Sequence, residues 1–343
     1  MRFRDWLGEK IHGTQYNIDL INACSLKCPS CAVGSIGGRK GGYMSIDLFR
    51  RILDKAQREG KVRRVQFYAY SDPCLHPGLD LFVQECTDRR IPSYISTVLQ
   101  KTNCDFQKVI EAGPTEFRIS FPGWEKMEYY QRNARPEVFD RKIEEVCSLP
   151  RHPETTWTMA FHLYNDNAHE VPRARELAAR HGLKLVVLPA IWMVLDKMVE
   201  GDYSDQDREL ISHLIETPEV SVARMDRRDD CFLHKQVTID AVGDVYLCQL
   251  LYRDKFRLVP FLDVPLREVQ RQIRTHPFCS KCMEKGGQVY QACFADFISP
   301  GDPISKANRK RHKIWPDGKP EGLSEKQPWH LKHMPPPQHP GFD

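Results

Sequence analysis

Apolar and polar residues alternate over residues 15–23, the period of a strand. The period then lengthens: Ser45 stands where an N-cap belongs, an amphipathic helical pattern runs to about Arg58, and Gly60 closes it. Residues 62–70 alternate again and are rich in β-branched and aromatic side chains, a second strand. The same exchange of periods continues through a helix near 79–89, a strand 93–99, a helix near 106–112 and a strand 116–121. A helix near 136–148, a strand 156–163, a helix 169–181 stopped by Gly182 and a strand 183–188 follow. Strands separated by helices of about ten to fifteen residues predict βα units on a parallel sheet, an α/β fold. After Pro189 the rhythm stops. Residues 191–230 read as a charged helical bridge that includes the segment 204–215, and residues 234–239 and 245–250 flank a turn at 240–244 as a β-hairpin, with Cys248 on its second strand. Residues 266–274 read as a helix. From residue 299 to 343 Pro, Lys, Arg and His replace the aliphatics, which predicts an extended basic tail without a core of its own.

A chain of 343 residues with 41% hydrophobic content can build a sizeable core. No apolar run is long enough for a bilayer, and the first residues lack the apolar centre of a secretory signal, so the expectation is a cytoplasmic protein without membrane contact. The net charge of +4 is mild, and its concentration in the tail says more than its sum. The chemistry is in the cysteines. Twelve are present without an export signal, and eight of them fall into two groups with metal-ligand spacing, which argues against a disulfide framework. Cys74, Cys86, Cys104 and Cys147 read as isolated buried or free thiols.

Cys24, Cys28 and Cys31 crowd into eight residues directly after the first strand. Three thiolates on one loop suit a four-iron cube, because they hold three corners and leave the fourth iron open. A closed zinc site would need a fourth ligand, and His12 and His76 are both far along the chain. The spacing C-x3-C-x2-C resembles the signature of the radical S-adenosylmethionine (SAM) superfamily. The resemblance implies a partial (β/α)6 radical SAM barrel over residues 1–190, a catalytic [4Fe-4S] cluster, and SAM bound to the open iron. It further implies reductive cleavage of SAM to a 5'-deoxyadenosyl radical, hydrogen abstraction from a substrate, and an electron donor such as flavodoxin or ferredoxin.

Tyr70-Ser71-Asp72-Pro73 is similar to the family's Gly-Gly-Glu-Pro strand end that holds the SAM amino group, with Tyr and Ser in place of both glycines and Asp72 one carbon shorter than Glu. Ser120 matches a polar residue at the end of the fourth strand, and Asn165 falls where a ribose or carboxylate contact is found in the family. Thr97 is a weaker match. Where the family often has an aromatic residue before the third cysteine this chain has Ser30, so adenine packing must come from elsewhere, Val33 or Leu188 being the candidates.

Cys231, then Gly243, then Cys248 resembles the opening of the SPASM extension, or of its shorter twitch form, which carries auxiliary clusters. Cys279, Cys282 and Cys293 complete a set of five over residues 231–298. Five thiolates can close one four-iron cluster and not two, so a second [4Fe-4S] cluster held by four of the five is expected. A zinc site on the same residues is the alternative. The substrate is open. Only 23 residues precede Cys24, which leaves little room for the leader-binding domain of a peptide maturase and lowers that reading; dehydrogenation, epimerisation or crosslinking of a small polar molecule or ribosomal peptide is one alternative. Basic residues interleaved with Trp315 and Trp329 suggest instead DNA or RNA as partner and a flipped nucleobase or nucleotide-linked group as substrate. The non-enzymatic alternative is a metal-containing nucleic-acid-binding module.

Overall fold

The computed structural model describes residues 13–36, 42–215, 217–224, 231–288 and 290. Cys293 and the tail 299–343 lie outside the described residues. Six parallel strands form in chain order: β1 (Thr14–Ile18), β2 (Val62–Gln66), β3 (Ser93–Thr97), β4 (Glu116–Phe121), β5 (Thr156–Leu163) and β6 (Lys184–Pro189). The hairpin strands β7 (Gln236–Ile239) and β8 (Asp244–Tyr246), with β9 (Arg257–Pro260), extend the same sheet to nine strands in the order β6-β5-β4-β3-β2-β1-β7-β8-β9. β7 runs parallel to β1, with Gln15 opposite Gln236 and Ile18 opposite Ile239, and the sheet turns antiparallel only at β8.

The helices follow as α1 (Ala32–Ile36), α2 (Ile46–Glu59), α3 (Leu79–Asp88), α4 (Phe106–Glu111), α5 (Met127–Tyr130), α6 (Pro136–Cys147) and α7 (Val171–Arg180). In the bridge are α8 (Leu195–Glu200), α9 (Asp205–Ser212) and α10 (Pro218–Arg224), and beyond the hairpin are α11 (Leu266–Thr275) and α12 (Pro277–Glu284). Ser45 caps α2 as expected, its side chain accepting from Leu48 N. The period of two explains how the strands sort their side chains. On β4 Phe117, Ile119 and Phe121 are buried, and Phe121 stacks on Phe139 of α6 at 4.2 Å. Glu116, Arg118 and Ser120 take the opposite, concave face and stay half-buried.

Three expectations shift. The second strand was expected to reach residue 70 but ends at Gln66, because the backbone N–H groups of Tyr70 and Ser71 bond to a side chain, Asp19, instead of a neighbouring strand. β3 stops at Thr97 for the same kind of reason: Val98 N donates to Asp72. Cys248 is not on the second hairpin strand; that strand ends at Tyr246, and Cys248 opens a turn closed by Leu251 N to its carbonyl at 3.0 Å. Gly243, at φ +93°, makes the preceding hairpin turn as its position suggested.

Candidate functional site

The loop after β1 brings Cys24, Cys28 and Cys31 to the C-terminal end of the parallel strands, the end where α/β barrels carry their chemistry. It closes on itself through Cys31 N to the Cys28 carbonyl at 3.1 Å. Gly34 lies so close that a Cβ there would be 2.1 Å from the Cys28 carbonyl oxygen, so no other residue fits without moving the loop. All three thiols are pushed up by burial, Cys24 to about 12; Cys31 adds to the shift of Cys24, and both of them to that of Cys28. Asp72 adds to Cys24 and Asp19 to Cys31.

Those two carboxylates are themselves buried, at 5% and 1% exposure. Burial raises Asp72, against hydrogen bonds from Val98 N (3.0 Å), Cys74 N (2.9 Å) and Thr97 Oγ1 (2.8 Å). Burial lifts Asp19 to about 7, although Tyr70 N, Ser71 N and Ser71 Oγ all donate to it at 2.8–3.1 Å. Three thiols and two carboxylates crowded out of water make a region that strongly favours cations.

A second group forms around Cys248. Cys231, Cys248, Cys279 and Cys282 line one recess, with Leu195, Leu247 and Phe278 among its apolar walls. Cys279 and Cys282 share a face of α12, three residues apart. Burial raises every one of the four for which a shift is resolved, Cys279 and Cys282 to about 12, and Cys231 acts on the other three. The Leu250 N–H works against the upward shift of Cys248 and the Gln288 N–H against that of Cys282, each favouring the thiolate. Among the described residues no three His, Cys, Asp or Glu side chains converge tightly enough to hold a single metal ion. The thiols of each group are thus neighbours without meeting at one point.

No family model matches the chain, and no curated protein does. Solved structures do match. SuiB of Streptococcus suis bound to precursor peptide SuiA is 14% identical with a TM-score of 0.54, over 88% of this chain and 77% of that one. SuiB bound to S-adenosylmethionine is 13% identical at 0.53, over 82% and 70%. Native anSMEcpe with bound AdoMet is 14% identical at 0.51, over 81% and 88%. The chain has the radical SAM fold.

On that fold the predicted residues separate into groups. Asp72 stands at the end of the β2 segment beside Cys24, and its carboxylate also ties that segment to the end of β3. Tyr70 and Ser71 border the same place through their backbone, but the Tyr70 ring leaves it and its hydroxyl donates to the Cys248 carbonyl at 2.6 Å. Ser120 Oγ bonds Ser96 Oγ at 2.9 Å on the concave face. Asn165 turns outward, donating to the Ser212 carbonyl at 2.7 Å at the end of α9. Cys74 and Cys104 are free thiols, Cys74 buried and Cys104 partly so.

Three residues escaped the sequence reading. Asp19 carries no motif signal, being one polar residue in an alternating strand, yet it clamps the Tyr70-Ser71 segment. Tyr164 supplies an aromatic ring at the cysteine loop: Ser30 and Cys28 both bear on its hydroxyl, and it stacks on Tyr130 at 3.5 Å. His162 faces the concave side of β5 near Arg118, and its Nε2 has no hydrogen-bond partner among the described residues.

Proposed function

We propose that the chain is a radical SAM enzyme whose Cys24, Cys28 and Cys31 hold a [4Fe-4S] cluster and whose Cys231, Cys248, Cys279 and Cys282 hold a second one. The observation that carries the reading is the three-thiol loop at the C-terminal end of β1, with Asp19 and Asp72 buried against it. When bound, such a cluster with one iron open to SAM supplies an electron that cleaves the sulfonium and yields a 5'-deoxyadenosyl radical able to take hydrogen from a C–H bond. A flavodoxin or ferredoxin is the donor class that suits it.

The residues present fit these groups. Three thiols on the first loop leave one corner of a cube open, and the four at the second recess can close a cube or bind a zinc ion. SAM carries an ammonium and a sulfonium, and Asp72, beside Cys24, is placed to meet a cation, which would offset the burial that raises its carboxyl. Asp19 occupies the N–H groups of Tyr70 and Ser71, which an ammonium could not use, and so fixes the strand end with its carbonyls as acceptors. Tyr164, beside Ser30, is an aromatic candidate to lie against the adenine, in addition to Val33 and Leu188.

The concave face favours a polar substrate. Tyr94, Ser96, Glu116, Arg118, Ser120 and His162 occupy lumen-facing, half-buried positions, and Glu116 pairs with Arg118 at 3.0 Å so that the lining is close to neutral. A small polar molecule undergoing dehydrogenation or epimerisation suits that lining, and a peptide, as in the SuiB complex with SuiA, would have to present a polar side chain to it. The nucleobase reading rests on the tail 299–343 alone.

The test is iron and product together. After anaerobic reconstitution the full chain should hold about eight irons, falling to about four when Cys24, Cys28 and Cys31 are all changed to Ala. Reduced parent protein should convert SAM to 5'-deoxyadenosine and the triple variant should not. A fully loaded parent that leaves SAM intact would refute the enzyme reading.

A further inference from the structure

Tyr70 joins the two cysteine groups. Its backbone N–H lies on the Asp19 carboxylate (3.0 and 3.1 Å), next to the loop of Cys24, Cys28 and Cys31, while its hydroxyl reaches the second group, 2.6 Å from the Cys248 carbonyl oxygen and 3.0 Å from that of Leu251. The residue is 5% exposed, and its ring packs against Tyr252 at 4.9 Å and Tyr246 at 5.8 Å, so the strut has little freedom to swing. We propose that Tyr70 is a positioning residue that holds the Cys248 turn in register with the first cysteine site and thereby sets the reduction potential of the second cluster. The proposal rests on the reading that the second group holds an iron-sulfur cluster.

The physical path is short. The Cys248 carbonyl accepts from Leu251 N at 3.0 Å and from the Tyr70 hydroxyl, one for each lone pair, which fixes the plane of the peptide following Cys248. Leu250, in the same turn, has a backbone N–H that favours the Cys248 thiolate. A hydrogen bond to a ligand sulfur favours the more electron-rich, reduced cluster, so its strength is one of the levers on potential. If the hydroxyl is removed, the turn loses a bond that is itself anchored to β2 and β1, and the N–H drifts from the sulfur. Asp19 enters at the far end: it holds the Tyr70 backbone through which the strut is anchored.

The experiment uses the full chain with Cys24, Cys28 and Cys31 changed to Ala, reconstituted anaerobically so that only the second group binds iron. Tyr70→Phe keeps the ring packing and removes the hydroxyl. We expect iron content equal to that of the Tyr70 parent, an altered electron paramagnetic resonance signal of the reduced cluster, and a lower midpoint potential. Should Tyr70→Phe load only partly, the same readings are taken on the loaded fraction, since signal and potential report only protein that holds the cluster. A spectrum and a potential that superimpose on the parent's would overturn the proposal, as would complete loss of iron from a variant whose circular dichroism matches the parent's, since the hydroxyl would then build the site and not tune it. A parent background that binds no iron would refute the second-cluster reading itself, and this role with it.

Discussion

Buried polar groups in this chain differ in whether the fold supplies their partners. Asp72 and Asp19 are each given several donors, whereas His162 Nε2 is given none among the described residues. Burial pushes the His162 imidazole down to about 4, and the Arg118 guanidinium adds to the shift. The ring is therefore neutral in the folded protein at physiological pH, ready to give or accept one hydrogen bond on the concave face. Because the unfolded chain binds the proton more readily, this residue makes stability rise with pH between about 4 and 6.5 and adds nothing further above that window. Imidazole resonances followed by NMR should show His162 unchanged from pH 8 down to about 5; a midpoint near the ordinary value would show that the ring is solvated and not enclosed. None of this was legible beforehand, since one His in an alternating strand does not announce which wall of a barrel it faces.

At the scale of elements, the bridge shows local signals working as written. Ser204 and Asp207 form a capping box at the start of α9, the Ser204 hydroxyl accepting from Asp207 N at 3.2 Å and the Asp207 carboxylate accepting from Ser204 N at 2.9 Å. The Lys197 ammonium adds a 2.6 Å pair that ties α8 to α9. Burial alone would raise Asp207, but the bonds from Lys197 and Ser204 outweigh it and hold its carboxyl below the usual range. Asp207→Ala should cost about 1–2 kcal/mol at neutral pH. A depressed carboxylate contributes above its unfolded pKa and loses its contribution as pH falls, so the gap between variant and parent should close below about pH 4. Thermal melts of both proteins across pH 3–7 check the magnitude and the direction. A capping box spans four residues, and that is why such elements could be read from the chain alone; the end of β2 could not, because it depends on a carboxylate some fifty residues away.

The whole molecule is closed by amides. Asn17 on β1 donates to Gln236 at 2.9 Å across 219 residues of chain, and Gln15 donates to Asn17 at 2.8 Å and to Gln66 at 2.6 Å. Asn17 is 1% exposed, so the contact joins the C-terminal hairpin to the first two strands at a buried position. Asn17→Ala should destabilise the protein by roughly 2 kcal/mol, because the partners are left buried without their bonds, whereas a surface amide change would cost little. Urea titration measures it, and a loss below about 0.5 kcal/mol would mean that water or repacking satisfies those groups. The alternation of strand and helix periods, the three-cysteine spacing and the hairpin turn were determined by the sequence itself, since each is a matter of neighbours along the chain. Only the tertiary structure decided that β7 would pair with β1, that Cys231, Cys248, Cys279 and Cys282 would line one recess, and that Asp19 and Tyr70 would link it to the first loop. Contacts of that kind depend on how a sheet closes in space, and residues far apart in the chain carry no local pattern that records where they meet.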